Sequence, residues 1–163
     1  MIAPIICFHN ADEENGFLSN WFMSPFSSGS IDYSSVEQYM MHQKALVFHD
    51  FDIAKKIISQ SDANEIKKLG RAVSNYNETV WNGIRQIVVY QGLLMKFRQN
   101  SELKKALIET GSAILAECAV NDHIWGIGLG MNDSKRFDLD FWNGQNLLGF
   151  SLMEARQELG VEL

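Results

Sequence analysis

Proline and cysteine are scarce, with two of each in 163 residues. With so little proline and no low-complexity tract the chain has no obvious linker, and no repeat of solenoid period is visible. Cys7 and Cys118 form no CxxC pair and suggest no disulfide framework, so a reducing cytoplasm is the expected compartment. No apolar run approaches the ~18 residues of a membrane span, and no basic region followed by an apolar one stands at the N-terminus, so no membrane association is expected. Positive charge is also short. Fourteen Lys and Arg stand against 20 Asp and Glu, a net charge of −6. General attraction to nucleic acid or to an anionic surface is therefore absent, and an anionic ligand must be held by a few placed cations. HExxH, GxSxG, the P-loop and a paired Cys/His ligand set are all missing, and four scattered histidines assemble no triad. The catalytic groups that remain are acids and a lysine.

What is there begins with enough apolar material for one core. A hydrophobic share of 46% over this length predicts one soluble domain spanning 1–163 and is too little chain for two. The chain is organised around Ser34-Ser35-Val36-Glu37-Gln38-Tyr39-Met40-Met41-His42-Gln43-Lys44-Ala45. Ser34 and Ser35 are both good N-cap residues, each with Glu or Gln three positions on, the capping-box spacing. Val36, Tyr39, Met40, Gln43, Leu46 and Val47 share one broad face at helical spacing, and Glu37, Met41, Lys44 and Phe48 form a stripe at its edge. Glu37 and Lys44 thus lie on one side of a helix, two turns or roughly 10 Å apart along its axis. That is too far for an ordinary i,i+4 pair and about right for two charged groups reaching toward a small molecule between them. Against this stands a plainer use of each residue: Glu37 as the capping partner of Ser34, Lys44 as a cation snorkelling over an apolar stem.

Before that helix, Ile5-Ile6-Cys7-Phe8 reads as a strand, and Phe17 to Phe22 sets three aromatics around Ser19 and Asn20. Asn20 is either part of an aromatic-anchored loop or a donor and acceptor for a ligand. Ser27 to Ser30 reads as a hairpin turn. Beyond the helix, shorter ones are expected over Ile53–Gln60 and Ser61–Leu69, with Gly70 as the left-handed C′ residue and Arg71 either capping that end or presenting its fork to a phosphate. The longest helical pattern opens at Asn77 or Thr79 and runs to about Gln99. It places Val80, Trp81, Ile84, Ile87, Val88, Gln91, Leu94, Met95 and Arg98 at helical spacing, and sets Trp81 and Arg85 an i,i+4 step apart. Ser101 caps a further helix ending at Thr110-Gly111. Ile114–Val120 is the best strand of the second half and holds Glu117, an unusual place for an acid. The glycines of Trp125-Gly126-Ile127-Gly128-Leu129-Gly130 do not follow the dinucleotide fingerprint; they suit a loop whose backbone approaches a ligand closely. Asp133, Asp138 and Asp140 read as a solvated acidic loop rather than a metal site. A last helix is expected over Asn146–Leu159, stopped by Gly160.

The ordered set of these pieces resembles the NADAR family of YbiA-like proteins. The matching residues are Phe17-Leu18-Ser19-Asn20-Trp21, Val36 to Ala45, Leu69-Gly70-Arg71, Trp81 with Arg85, Met95-Lys96-Phe97, Thr110-Gly111 and Glu117. They continue with Asp122, Trp125-Gly126-Ile127-Gly128, Trp142-Asn143-Gly144-Gln145-Asn146-Leu147-Leu148-Gly149 and Leu152-Met153-Glu154-Ala155-Arg156. Gln38 stands where the family commonly has histidine. The resemblance implies a compact, mainly α-helical α+β domain with a small β-sheet, and no metal or organic cofactor. It implies an N-glycosidase acting on phosphorylated early intermediates of riboflavin synthesis and releasing ribose 5-phosphate. Similar enzymes remove ADP-ribose from guanine in nucleic acid, and a non-catalytic ADP-ribose or nucleotide sensor would use the same cleft.

On that basis Lys44 is the expected nucleophile toward the anomeric carbon, forming a Schiff base, with Glu37 shuttling protons. In the competing mechanism Glu37, Glu117 or Asp122 activates water and Lys44 is only electrostatic. Arg71 is expected to hold phosphate. Trp81, Trp125 and Asn20 would frame base or ribose, with the backbone of Gly126 and Gly128 against the substrate and Arg85 and Asn146 as further binding residues.

Overall fold

Most of the elements follow from local chemistry, beginning with side-chain caps. Ser35 accepts the Gln38 backbone N–H at 3.2 Å and opens α1 (Val36–Val47); Asp50 opens α2 (Phe51–Ile58), Asp62 opens α3 (Ala63–Arg71) and Asn77 opens α4 (Glu78–Gln99), each accepting an amide three residues on. The computed structural model describes residues 3–162, which form two units, Met23–Asn100 and residues 3–22 with 101–162. The fold is α+β and mainly helical.

In the first unit a hairpin of β2 (Phe26–Ser28) and β3 (Ile31–Tyr33) pairs antiparallel, Phe26 opposite Tyr33, and leads into α1. Helix α1 packs against α2, α3 and α4. Gln38 ties this together. Its Oε1 accepts from the Ser34 N–H at 2.8 Å, and its Nε2 donates to the carbonyls of Ile57 and Gln60. Those bonds tie α1 to the end of α2 and the residues just after it. The amide at Ser34 therefore belongs to Gln38, so Glu37 is not its capping partner.

Three expectations are corrected in this unit. Helices α2 and α3 each start and end about two residues from the predicted bounds, because Asp50 and Asp62 are the caps. Gly70 lies inside α3 and has no positive φ. It is glycine because of packing: a Cβ there would overlap Sδ of Met41 on α1. Finally, the buried face of α4 is turned from the expected one. Val89, Leu93, Lys96 and Phe97 are wholly buried, whereas Val80 and Ile87 are about half exposed. The pattern alone leaves the choice between adjoining stripes open, and packing against α1 decides it.

In the second unit β1 (Ile5–Phe8) pairs parallel with β4 (Ile114–Glu117), Cys7 opposite Ala116, and α6 (Leu147–Val161) packs on β4 beside α5 (Ser101–Glu109). Strand β4 stops at Glu117, short of the predicted Val120. Ser101 is the first residue of α5 rather than its cap, and Gly160 lies within α6 rather than ending it. Gly149, in the first turn of α6, lets that helix rest on the strand: an added Cβ would overlap the Leu115 carbonyl oxygen. That clash is with backbone, which cannot swing away. Gly149→Ala is expected to lower stability by about 2–3 kcal/mol, read as a fall in the urea midpoint.

Candidate functional site

Local packing in the first unit builds a small constellation around Lys44. Because Met41 seats against Gly70, Lys44, almost one turn further along α1, arrives at the end of α3. Its Nζ donates to the Gly70 carbonyl at 2.8 Å, one of the carbonyls that a helix C-terminus leaves without a partner. A cation there also meets the negative end of the helix dipole. Lys44, not Arg71, is therefore the capping cation of α3. Among the described residues the Arg71 guanidinium has no hydrogen bond or ion pair, and the residue is exposed. Two aromatic rings complete the surroundings of Nζ: Tyr76 at 4.5 Å to its centroid and Trp81 at 6.0 Å. Trp81 is buried and Tyr76 is 45% exposed.

The electrostatics follow from this placement. Burial is the main cause that lowers the pKa of Lys44 below its ordinary value; the Arg71 charge lowers it further and the Glu37 charge opposes both. Glu37 is itself buried. Arg71 is thus a second positive group acting on Lys44, opposed by the Glu37 carboxylate. An amine that is easily deprotonated, an acid on the same helix and an unengaged guanidinium fit nucleophilic attack, proton transfer and anion binding. Arg85 is half-buried and bonds Asn82 on its own helix at 2.8 Å, so its fork is partly engaged.

The second unit holds the other residues singled out from the sequence. Asn20 sits in a turn fixed by Ser19, whose Oγ accepts from the Trp21 N–H at 3.2 Å. It is buried, and its Oδ1 has no hydrogen-bond partner among the described residues, an acceptor open to a ligand donor. Asp122 takes the amides of Ile124 and Trp125 on one oxygen, at 3.0 and 2.8 Å, which makes it the anchor of the glycine-containing loop. The carbonyls of His123, Ile124, Trp125 and Gly126 accept the N–H groups of Gln145, Leu147, Leu148 and Asn146. That loop thus satisfies amides at the start of α6, and its backbone is committed to the fold at Gly126. At Gly128, φ is 74°, and an added Cβ would meet the Asn143 side chain. Asn146 is a tie between α6 and β4: its Nδ2 donates to the Leu115 carbonyl at 2.9 Å and its Oδ1 accepts from the Glu117 N–H at 3.1 Å. Glu117 closes β4, half-buried. No group of three or more His, Cys, Asp or Glu that could hold a metal occurs among the described residues, and Asp133 and Asp138 cap single-turn 3-10 segments.

Sequence reasoning missed Tyr76 and the Gly70 carbonyl. A signal for Tyr76 was present. It precedes the N-cap Asn77, and Trp81 is the fourth residue of α4, the two positions that pack as a hydrophobic staple.

The chain belongs to the NADAR family, whose domain model matches residues 7–160. It is 40% identical over 161 residues to N-glycosidase R617 of Acanthamoeba polyphaga mimivirus, covering 94% of this chain and 95% of that one. It is 29% identical over 162 residues to N-glycosidase YbiA of Escherichia coli, covering 99% and 92%. The NMR structure of E. coli YbiA superimposes with a TM-score of 0.81 over 99% of this chain and 88% of the other. A riboflavin biosynthesis protein of Vibrio vulnificus, VVA0006, shares 31% identity over 94% of this chain, which spans 38% of that protein. No helix among the described residues is long and apolar enough to cross a membrane.

Proposed function

We propose that this protein hydrolyses the N-glycosidic bond of a small, phosphorylated ribosylated base of the ribosylamino-pyrimidine type and releases ribose 5-phosphate. The chain is a hydrolase of N-glycosyl bonds; the substrate and the chemistry are our reading. The observation that carries it is the placement of Lys44, a half-buried amine held on the Gly70 carbonyl and within electrostatic reach of Glu37 and Arg71. Relatives named as N-glycosidases and as a riboflavin biosynthesis protein support the substrate class. The unbroken family match over 7–160 supports reading 1–163 as one domain.

In this mechanism neutral Nζ attacks the anomeric carbon and the bond to the base nitrogen breaks, its electron pair leaving with the base. Glu37 takes the proton that Nζ loses and delivers it to that nitrogen. The ring bond to the ribose oxygen then opens, the second Nζ proton passes by way of Glu37 to that oxygen, and a lysine imine remains. Water adds to the imine carbon, the amine departs and the aldehyde closes to ribose 5-phosphate. Base, sugar phosphate and free enzyme balance against substrate and one water. Arg71 holds the phosphate as a charge-assisted fork.

The deciding experiment offers a phosphorylated ribosylamino-pyrimidine and an ADP-ribosylated guanine side by side and follows release of the sugar phosphate. Turnover of the pyrimidine, with a sugar trapped on Lys44 by borohydride, is the expected result. Cleavage of the guanine adduct alone would replace the substrate, and binding without cleavage of either would make the protein a sensor.

A further inference from the structure

Tyr76 is a large ring left 45% exposed on a segment that is firmly held. Asn75 before it is in the left-handed region, φ 57°, and its Nδ2 donates to the Phe48 carbonyl at 3.4 Å. Ser74 donates its N–H to Asp50 Oδ2 at 2.8 Å, while Oδ1 of the same carboxylate caps α2. The Tyr76 ring meets Phe48 edge-on at 5.4 Å, and Asn77 behind it caps α4. The join between α1 and α2 is therefore tied to the join between α3 and α4, and the Tyr76 ring face is set over Lys44 Nζ. As the residue before the N-cap of α4, Tyr76 is held by that helix start, and its exposed ring face lies over the amine.

We propose that Tyr76 is a positioning residue of this site, its ring fixing the Lys44 amine against the Gly70 carbonyl and shielding it from water. The inference rests on Lys44 being the reactive amine and extends that reading to the residue that sets its state. Two effects of the ring oppose each other. An aromatic face favours the ammonium, whereas excluding water disfavours it. Burial is the leading influence on Lys44, so shielding dominates. The charged groups that bear on it are Glu37 from α1 and Arg71 from α3; α4 presents the uncharged Trp81 ring and the 72–77 segment presents Tyr76. Opening the site to water on the Tyr76 side therefore moves the amine toward an ordinary lysine.

The test reads the amine directly, without substrate. Lys44 is acylated competitively with trace acetic anhydride across pH, using exposed Lys55 in the same protein as the reference, and peptide mapping yields its titration midpoint. Tyr76→Ala is expected to raise that midpoint by roughly one pH unit, equivalent to a tenfold smaller neutral fraction near pH 7. Tyr76→Phe, which keeps the ring, should leave it in place. An unchanged or lowered midpoint in folded Tyr76→Ala would overturn the proposal, as would an equal shift in Tyr76→Phe. If Tyr76→Ala does not fold, Tyr76→Gln carries the same comparison. Borohydride trapping can fail while this shift is still found; that combination removes the imine and leaves the positioning role standing.

Discussion

Lys44→Ala is expected to reduce turnover on the order of 10³-fold or more while leaving the fold intact, because it removes the proposed nucleophile and leaves only binding and Glu37. The structural cost is small. The Gly70 carbonyl loses its 2.8 Å donor at a helix end, a change worth about 1 kcal/mol. The sharper variant is Lys44→Arg. A guanidinium keeps the positive charge and a donor for that carbonyl but forms no imine. If Lys44 acts as a nucleophile, Ala and Arg fail alike, and borohydride leaves no sugar on either. If Lys44 only stabilises charge while a carboxylate activates water, Lys44→Arg keeps a substantial part of the activity and Glu37→Gln becomes the crippling change. Steady-state rates of the three variants, with circular dichroism as the check on folding, separate the two chemistries.

How far this site can be read from the sequence depends on where its constraints lie. The start of α1 and the shared side of Glu37 and Lys44 follow from capping and helical period, both local, and Gly111 takes the left-handed conformation expected after α5, at φ 60°. Gly70 carries the same sequence signature, a glycine near a helix end, yet its reason is the sulfur of Met41 on another helix. Local rules cannot tell these two glycines apart. The same limit hides the acceptor of Lys44, since a backbone carbonyl leaves no residue type to notice. It also hides the parallel pairing of β1 with β4, whose partners, such as Ile5 and Ile114, are far apart in the chain. The Asn146 carboxamide reads equally well as a ligand contact or a tie, and only its two bonds to β4 show the tie. Tyr76 was legible as half of a staple, but its relation to Lys44 depends on α1 and α4 meeting.

Lys96 supplies the second large effect, on stability rather than on rate. It lies on α4, wholly buried beside the Phe97 ring, and burial pushes its pKa down to about 7. In the unfolded chain a lysine holds its proton up to about pH 10.4. Between these two values the unfolded state binds the extra proton, so stability rises with pH, by ~1.4 kcal/mol per pH unit and up to roughly 5 kcal/mol across the window. Below about pH 7 folded Lys96 is protonated as well, and the slope ends. Tyr33 and Tyr39, whose pKa values are raised by burial, oppose this trend only above about pH 10, where unfolded tyrosine ionises. Urea midpoints at pH 7, 8 and 9 should therefore climb steadily in the wild type. In Lys96→Met, which keeps the stem and removes the titrating group, that part of the climb should vanish, whatever the change in absolute stability. Parallel slopes in the two proteins would mean that Lys96 is charged in the fold, and that the partners it meets there outweigh the cost of burying it.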